Sequence, residues 1–242
     1  MLHDYPLFSI IIPAYQEEKR IGETLTQLSA YLNERHRDFE LIVVSGGSTD
    51  NTVRIAREYE SIVKGKLKVL DAKEAKGKGA AVRAGVLEAG GDYVLFTDAD
   101  LSYSPTLFDE FIQCLKDGAD IAIAQRIETA KYLGIGRYLL ATISRFLVGN
   151  ILVPGIGDTQ AGLKAFTGSA AQYLFQRQKV DGFLFDLELL LLAQRKGYRI
   201  EKIRVRWEDK PGSTFRLFRD TSRAILDLLK IYWRLGTGQY EI

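Results

Sequence analysis

The sequence predicts an α/β protein built on a mainly parallel β-sheet flanked by helices. Short apolar runs alternate with amphipathic stretches along the first half of the chain, and each apolar run ends in a polar or glycine-rich cluster. Strands and helices that alternate in this way form βαβ units, whose strands run parallel. With 242 residues, 46% of them hydrophobic, the chain is long enough to bury one large core.

The elements of the first half follow from local patterns. Apolar runs predict strands over residues 8–12, 39–44, 67–70, 93–97 and 121–124. Helical spacing of Ile21, Leu25, Leu28 and Leu32 predicts a helix over 19–33. A second helix starts after Thr49 or Asp50, either of which can cap it, and continues to Tyr59. An Ala-rich stretch predicts a third helix over 78–89, which Gly90-Gly91 ends.

The second half is dominated by amphipathic segments. We expect helices over 137–153 and 183–193, a basic strand over 200–207 and a long amphipathic segment over 215–235. The helix at 137–153 has one apolar and one basic face, a pattern typical both of helices in a membrane interface and of helices packed on a core. No run of 18 uncharged apolar residues occurs, so we expect no transmembrane helix.

Charge is unevenly distributed along the chain. Residues 1–124 carry 14 basic and 20 acidic side chains, whereas residues 125–242 carry 19 basic and 11 acidic ones. The basic half favours an anionic partner or surface, although an uneven surface without a partner explains the split equally well. We expect one domain over 1–242, with these two halves.

The single Cys114 excludes an internal disulfide and a multi-Cys zinc site, and favours a reducing compartment.

Three polar clusters follow predicted strands, at residues 13–17, 45–50 and 98–100. In parallel sheets, ligands bind beyond the carboxyl ends of the strands, so the clusters define one candidate site. Asp98 and Asp100 can converge on Mg²⁺ or Mn²⁺ at the end of a buried strand. Lys76-Gly77-Lys78-Gly79 precedes a helix and suits an anion, although a plain turn explains it as well. No pattern for nucleophilic acyl chemistry is present.

Four blocks together resemble the family 2 inverting glycosyltransferases of the GT-A (nucleotide-diphospho-sugar transferase) fold. They are residues 9–17, 42–52, 76–85 and 96–100. In the second half, Gly157-Asp158-Thr159-Gln160-Ala161-Gly162-Leu163-Lys164 is similar to the D-T-Q-x-G-x-K segment of dolichyl-phosphate glucosyltransferases and mannosyltransferases. Residues 185–188 and 205–213 continue the likeness, which leans towards the glucosyl type. The resemblance spans residues 8–233.

The resemblance implies a donor site in the first half. The nucleotide pocket would be lined by Pro13, Tyr15 and Glu17, with Lys78 nearby. The Asp98-Ala99-Asp100 segment would hold Mg²⁺ or Mn²⁺ and the diphosphate of the nucleotide sugar.

The resemblance also implies an acceptor site in the second half. Arg126 and Arg137 would face the acceptor phosphate. The sugar would be bordered by Gln160, Lys164, Asp186 and Glu188, and a loop near the bound phosphates would carry Lys210 and Ser213.

One segment departs from the family pattern. The family has V-D-D-G-S where this chain has Val44-Ser45-Gly46-Gly47-Ser48, and the lost aspartate commonly contacts the base or helps at the metal. The nucleotide preference therefore stays open. Asp50 matches a later acidic position of the family and is expected to be a helix cap.

The implied function is transfer of a hexose from a nucleotide sugar to dolichyl phosphate or another polyprenyl phosphate. The leading expectation is glucose, transferred from UDP-glucose. Three alternatives stay open: a mannosyltransferase using GDP-mannose, a transferase for a soluble or glycan acceptor, and a non-catalytic module that binds nucleotide sugar or lipid phosphate. We expect peripheral attachment to the cytoplasmic face of a membrane through residues 137–153, with 215–235 as a second segment, and no nucleic-acid partner.

Overall fold

The computed structural model describes residues 7–35, 38–63, 66–127, 153–206 and 217–240. The predicted helix over 137–153 therefore lies outside the described residues except for Val153, and so does Arg137. Lys210 and Ser213, on the segment that follows the last strand, also lie outside them.

The strands of the described residues are β1 (Phe8–Ala14), β2 (Phe39–Ser45), β3 (Leu67–Asp71), β4 (Tyr93–Phe96), β5 (Ile121–Ile127), β6 (Lys164–Thr167) and β7 (Ile200–Arg206). They form one sheet with the order β3-β2-β1-β4-β6-β5-β7. Strand β6 runs antiparallel to both of its neighbours, and the other pairs are parallel. The predicted mixed α/β class with a mainly parallel sheet is thus confirmed.

Helices cover both faces of the sheet. The helices are α1 (Ile21–Arg35), α2 (Thr52–Glu58), α3 (Lys78–Leu87), α4 (Phe108–Lys116), α5 (Gly168–Arg177), α6 (Phe185–Lys196) and α7 (Leu217–Gly236). A 3₁₀ turn at Pro105–Leu107 leads into α4. Ile10 and Ile12 of β1 point into a core with α1 and α4, whereas Ile11 points into a second core with α3, α5 and α6. This alternation follows from the two-residue period of a strand.

Strand β1 continues past the proline at which the apolar run was expected to end. The Ile11 carbonyl accepts a hydrogen bond from the Thr97 N–H at 3.0 Å, so the backbone groups of Ile11 and Pro13 face β4. The paired register with β4 ends at Ile11 and Phe96. Pro13 therefore lies beyond the end of β4, where its missing N–H removes no bond of the ladder.

None of the helices within the described ranges combines the length and the apolar composition needed to cross a bilayer.

Candidate functional site

The three polar clusters lie at one edge of the sheet. The register pairs Ala14 with Ser45 and Ile11 with Phe96, so the chain leaves β1, β2 and β4 at neighbouring points. The first residue of α3 reaches the same edge, because the Lys78 Nζ lies 2.6 Å from Asp98 Oδ1. The segments that the sequence analysis assigned to one candidate site are therefore brought together by the fold.

The turn after β4 is held in a fixed conformation. Asp100 Oδ1 accepts hydrogen bonds from the backbone N–H and the hydroxyl of Ser102, at 2.9 and 2.7 Å. The Ala99 carbonyl accepts from the Thr24 hydroxyl of α1 at 2.5 Å. Leu101 has a φ of 48°, in the left-handed region that non-glycine residues rarely adopt. Such a strained backbone, held by surrounding contacts, is typical of ligand sites.

Asp98 is partly exposed and lies between Lys78 on one side and Gly162 on the other. A Cβ added to Gly162 would overlap the Asp98 carboxylate. Gly162 was not predicted as a site residue, although it is the glycine of the D-T-Q-x-G-x-K segment. Burial alone would lower the pKa of Lys78, but the charges of Asp98 and Asp186 outweigh it and hold that pKa above its usual value. Lys78 is therefore a permanent cation beside Asp98.

A buried ion pair lies under this edge. Lys164 Nζ is 2.7 Å from Asp186 Oδ1, and the two side chains are only 1% and 3% exposed. Lys164 also donates to the Ala161 carbonyl at 2.7 Å. Burial raises the pKa of Asp186, with Lys164 and Lys78 opposing it. The pair ties β6 and the 158–163 segment to the first turn of α6.

Arg126 at the end of β5 makes a bidentate ion pair with Asp158. Its Nε and Nη2 lie 2.7 and 2.9 Å from the two carboxylate oxygens, and its backbone N–H also donates to Asp158. Burial alone would raise the pKa of Asp158, but the hydrogen bonds and charge of Arg126 hold it below its usual value. The structure shows that Arg126 fixes the start of the 158–163 segment, and its predicted role of facing an acceptor phosphate stays a prediction.

Replacing Arg126 with Met is expected to lower the free energy of unfolding by about 1.5–3 kcal/mol at pH 7, because a nearly buried carboxylate loses its charged partner. In the native protein Asp158 stabilises the fold above about pH 4 and loses this contribution as the pH falls through its lowered pKa. In the variant, Asp158 stays buried but loses the charge and side-chain hydrogen bonds of Arg126, so we expect a smaller stabilising contribution from it above about pH 4.

The loss of unfolding free energy in Arg126→Met, relative to the native protein, should thus become smaller as the pH is lowered from 7 to 4. Urea titrations measure it. The matched control is Arg35→Met, which breaks an exposed pair with Asp109 and should cost less than about 1 kcal/mol. A deficit that grows on acidification would contradict this assignment.

The segment after β1 exposes one aromatic ring at the edge. Tyr15 is 61% exposed. Gln16 has a φ of 59°, and its side chain donates to the Thr49 hydroxyl at 2.8 Å, which ties this segment to the turn after β2. Glu17 pairs with Arg20 at 2.7 Å, and burial raises the pKa of Glu17 despite that pair. The aromatic ring of Tyr15 is thus exposed to solvent, while the backbone beside it is held in place by the Gln16–Thr49 hydrogen bond.

Ser45 and Gly46, which stand where the family pattern has two acidic residues, lie at the end of β2 and in the tightly packed turn after it. Ser45 is fully buried, and its hydroxyl donates to that of Ser48 at 3.0 Å. A Cβ on Gly46 would lie 2.7 Å from the Ala75 carbonyl oxygen. The 72–76 segment therefore occupies the space that an acidic side chain would need. Asp50 was expected to cap α2, but Asn51 occupies the N-cap position and makes no side-chain cap hydrogen bond. Asp50 lies one residue earlier, where its Oδ1 accepts from the Thr52 N–H at 3.1 Å.

Two residues predicted to border the sugar lie in different surroundings. Gln160 is exposed on the segment between Asp158 and Gly162. Glu188 is fully buried, and its carboxylate accepts hydrogen bonds from the backbone of Lys179 and Val180 and from the Tyr240 hydroxyl. The described contacts of Glu188 therefore fix the backbone at residues 179–180 and the side chain of Tyr240.

Comparisons with known proteins agree with this architecture. The model of glycosyl transferase family 2 matches residues 9–168. Dolichyl-phosphate beta-glucosyltransferase ALG5C of Trichomonas vaginalis is 34% identical over 94% of this chain and 72% of its own length. The dolichyl-phosphate beta-glucosyltransferases of Drosophila melanogaster and Homo sapiens are 35% and 32% identical, each over 97% of this chain and 77% of their own length.

Solved structures share the fold at lower identity. Glucosyl-3-phosphoglycerate synthase from Mycobacterium tuberculosis, in complex with Mn²⁺, UDP-glucose and phosphoglyceric acid, superposes with a TM-score of 0.68 at 22% identity over 93% of this chain and 78% of that one. Mannosyl-3-phosphoglycerate synthase from Rubrobacter xylanophilus gives 0.72 at 16% identity over 98% and 76%. The chain is therefore a glycosyltransferase with the GT-A fold and belongs to glycosyl transferase family 2.

Proposed function

We propose that this protein transfers glucose from UDP-glucose to dolichyl phosphate or a related polyprenyl phosphate. The relatives that support this acceptor and sugar match nearly the whole chain and bear the name dolichyl-phosphate beta-glucosyltransferase. The structural observation that carries the proposal is the strand edge at which Lys78, Asp98 and Asp100 lie together. A lysine and two carboxylates that can hold a cation are suited to stabilise the negative charge on a diphosphate as it departs from a sugar.

The donor side of the site fits a hard divalent cation. Asp98 and Asp100 offer carboxylate oxygens, and within the described ranges no cluster of three or more His, Cys, Asp or Glu side chains forms a complete metal cage. Mg²⁺ and Mn²⁺ suit such sites, because phosphate oxygens and water complete their coordination. When bound, the cation would neutralise charge that develops on the departing diphosphate. Lys78 adds a fixed positive charge beside the same carboxylate.

The acceptor in this proposal needs little activation. A phosphate monoester is anionic at neutral pH, so its oxygen attacks without a strong general base. The work of the protein is to orient that oxygen opposite the leaving diphosphate, and such positioning contributes about 7–11 kcal/mol to lowering a barrier. Arg126 at the end of β5, together with Arg137, is proposed to orient the phosphate. Attack from the opposite face inverts the anomeric carbon.

The proposal is tested with purified protein, a short polyprenyl phosphate, Mg²⁺ or Mn²⁺, and a panel of labelled nucleotide sugars. We expect glucosyl lipid from UDP-glucose and at least tenfold less product from GDP-mannose, which corresponds to about 1.4 kcal/mol of discrimination. A preference for GDP-mannose would make it a mannosyltransferase. Transfer only to soluble sugars would overturn the lipid acceptor, and binding without any turnover would favour a binding module.

We further propose that the protein attaches peripherally to a membrane through α7. Leu226, Leu229 and Trp233 are 57%, 62% and 59% exposed, and their spacing places them on one face. Ile231 and Leu235 on the opposite side are buried in the core. Exposed aromatic and aliphatic side chains next to basic ones are typical of interfacial helices, and Lys230 and Arg234 supply the charge. The cytoplasmic side of the membrane stays a prediction.

The double variant Leu229→Ser/Trp233→Ser should bind vesicles at least about tenfold more weakly, because each side chain buries apolar surface in the lipid. Binding is measured by co-sedimentation with phosphatidylcholine vesicles that contain anionic lipid. The matched control is Ile62→Ser, since Ile62 is 59% exposed on the connection between α2 and β3. Equal binding of both variants and the native protein would refute attachment through α7.

A further inference from the structure

The loop between α5 and α6, residues 178–184, lies over the beginning of α3. Its Asp181 carbonyl accepts from the Ala80 N–H at 3.2 Å, and its Gln178 carbonyl accepts from Arg83 at 2.9 Å. The fit is close, because a Cβ on Gly79 would lie 2.7 Å from the Val180 carbonyl oxygen. The position of Lys78, the first residue of α3, therefore depends on this 178–184 loop.

The 178–184 loop is held from below by Glu188 of α6. Both carboxylate oxygens accept from the Lys179 N–H, at 3.0 and 3.1 Å, and Oε2 accepts from the Val180 N–H at 2.9 Å. Glu188 is 0% exposed. Burial raises the pKa of Glu188, and the hydrogen bonds from Tyr240 and from the backbone of Val180 and Lys179 oppose that rise. Since a buried carboxyl group left without partners would be costly, these bonds tie the start of the loop to α6.

Tyr240, which follows α7, completes the arrangement. Its hydroxyl donates to Glu188 Oε1 at 2.5 Å, and the residue is 2% exposed. Burial raises the pKa of the Tyr240 phenol, so it stays a donor at neutral pH. Helix α7 itself approaches the 178–184 loop at Gly182, where an added Cβ would lie 3.3 Å from Asp227 Oδ2. The C-terminal helix and the loop therefore form one packed unit.

We propose that Glu188 and Tyr240 are positioning residues that couple α7 to the donor site. Through the 178–184 loop they hold the first turn of α3 so that Lys78 stays beside Asp98. The proposal rests on the donor site proposed above, and it adds a route by which the helix with the exposed apolar face influences donor binding. Because such coupling is reciprocal, donor binding also stabilises the packing of α7.

The test removes one hydroxyl with Tyr240→Phe. We expect the Kd for UDP-glucose with Mn²⁺, measured by calorimetry without acceptor, to rise roughly 2- to 30-fold, the range for residues that act on a site without touching the ligand. Amide hydrogen exchange should become faster in residues 178–184 and 77–82 and stay unchanged in β2. Glu188→Gln, which keeps the side-chain size, should speed exchange in the same two segments.

The matched control is Tyr198→Phe. Tyr198 follows the other end of α6 and packs edge-on against Tyr173 with ring centroids 5.9 Å apart. This variant should leave the Kd and exchange at 77–82 unchanged. The proposal is overturned if Tyr240→Phe lowers only the melting temperature while exchange at 77–82 stays native. If the native protein binds no nucleotide sugar, the donor site fails, whereas the exchange data still decide the coupling.

Discussion

Replacing Asp98 with Asn is expected to reduce kcat/KM for UDP-glucose by about 100- to 1,000-fold, the usual cost of removing one charged group that stabilises a transition state. The amide keeps the shape of the carboxylate but not its charge. Lys78 loses the partner that lies 2.6 Å away, and the proposed cation loses an anionic ligand. Initial rates with labelled UDP-glucose and polyprenyl phosphate measure the effect.

The control for this variant is Asp92→Asn. Asp92 precedes the same strand at its other end, where its carboxylate accepts from the Leu7 N–H at 2.9 Å. An asparagine oxygen can still accept that bond, so the rate should stay within about twofold of the native value. An Asp98→Asn protein that keeps more than a fifth of native activity would contradict the role of Asp98.

Replacing Lys164 with Met is expected to lower the free energy of unfolding by about 3–5 kcal/mol, because it leaves the Asp186 carboxylate buried without its partner. The double variant Lys164→Met/Asp186→Leu should recover most of this loss, since a buried ion pair and a well-packed apolar pair of similar volume are often equally stable. Urea titrations at pH 7 measure the free energy of unfolding of the native protein, the single variant and the double variant. The single variant should thus be the least stable protein.

Lys202→Met is the matched control for the buried lysine. Lys202 is exposed and donates only to the Gly155 carbonyl among the bonds described, so its loss should cost less than about 1 kcal/mol. A Lys164→Met variant that loses no more stability than Lys202→Met would contradict the stabilising role of the buried pair. A double variant less stable than Lys164→Met would contradict it as well.

Except for α4, the strands and helices of the first half were predicted to within a few residues, because each has a clear apolar period bounded by polar or glycine residues. Helix α4 was not predicted, although Phe108, Phe111, Ile112 and Leu115 show helical spacing. Strand β6 was missed for a physical reason. It has only four residues and begins with a charged one, and no local pattern shows that Lys164 finds its partner on a helix later in the chain.

The candidate site was predicted in part. Its location at the ends of β1, β2 and β4 followed from the α/β pattern, since those ends share one edge. The contacts of Gly162 with Asp98 and of Arg126 with Asp158 join distant segments and have no local signal. Asp186 and Glu188 were assigned to the same sugar. Residues two apart on a helix point in different directions, so Asp186 faces Lys164 while Glu188 faces the 178–184 loop.

The most direct test of the central proposal is the structure of the lipid product. UDP-glucose labelled with ¹³C in the sugar is incubated with polyprenyl phosphate and protein, and the anomeric coupling of the extracted lipid is read by NMR. We predict a single β-linked glucosyl phosphate, because one displacement inverts the α-linkage of the donor. An α-linked product, or free glucose in place of glucosyl lipid, would contradict the proposed reaction.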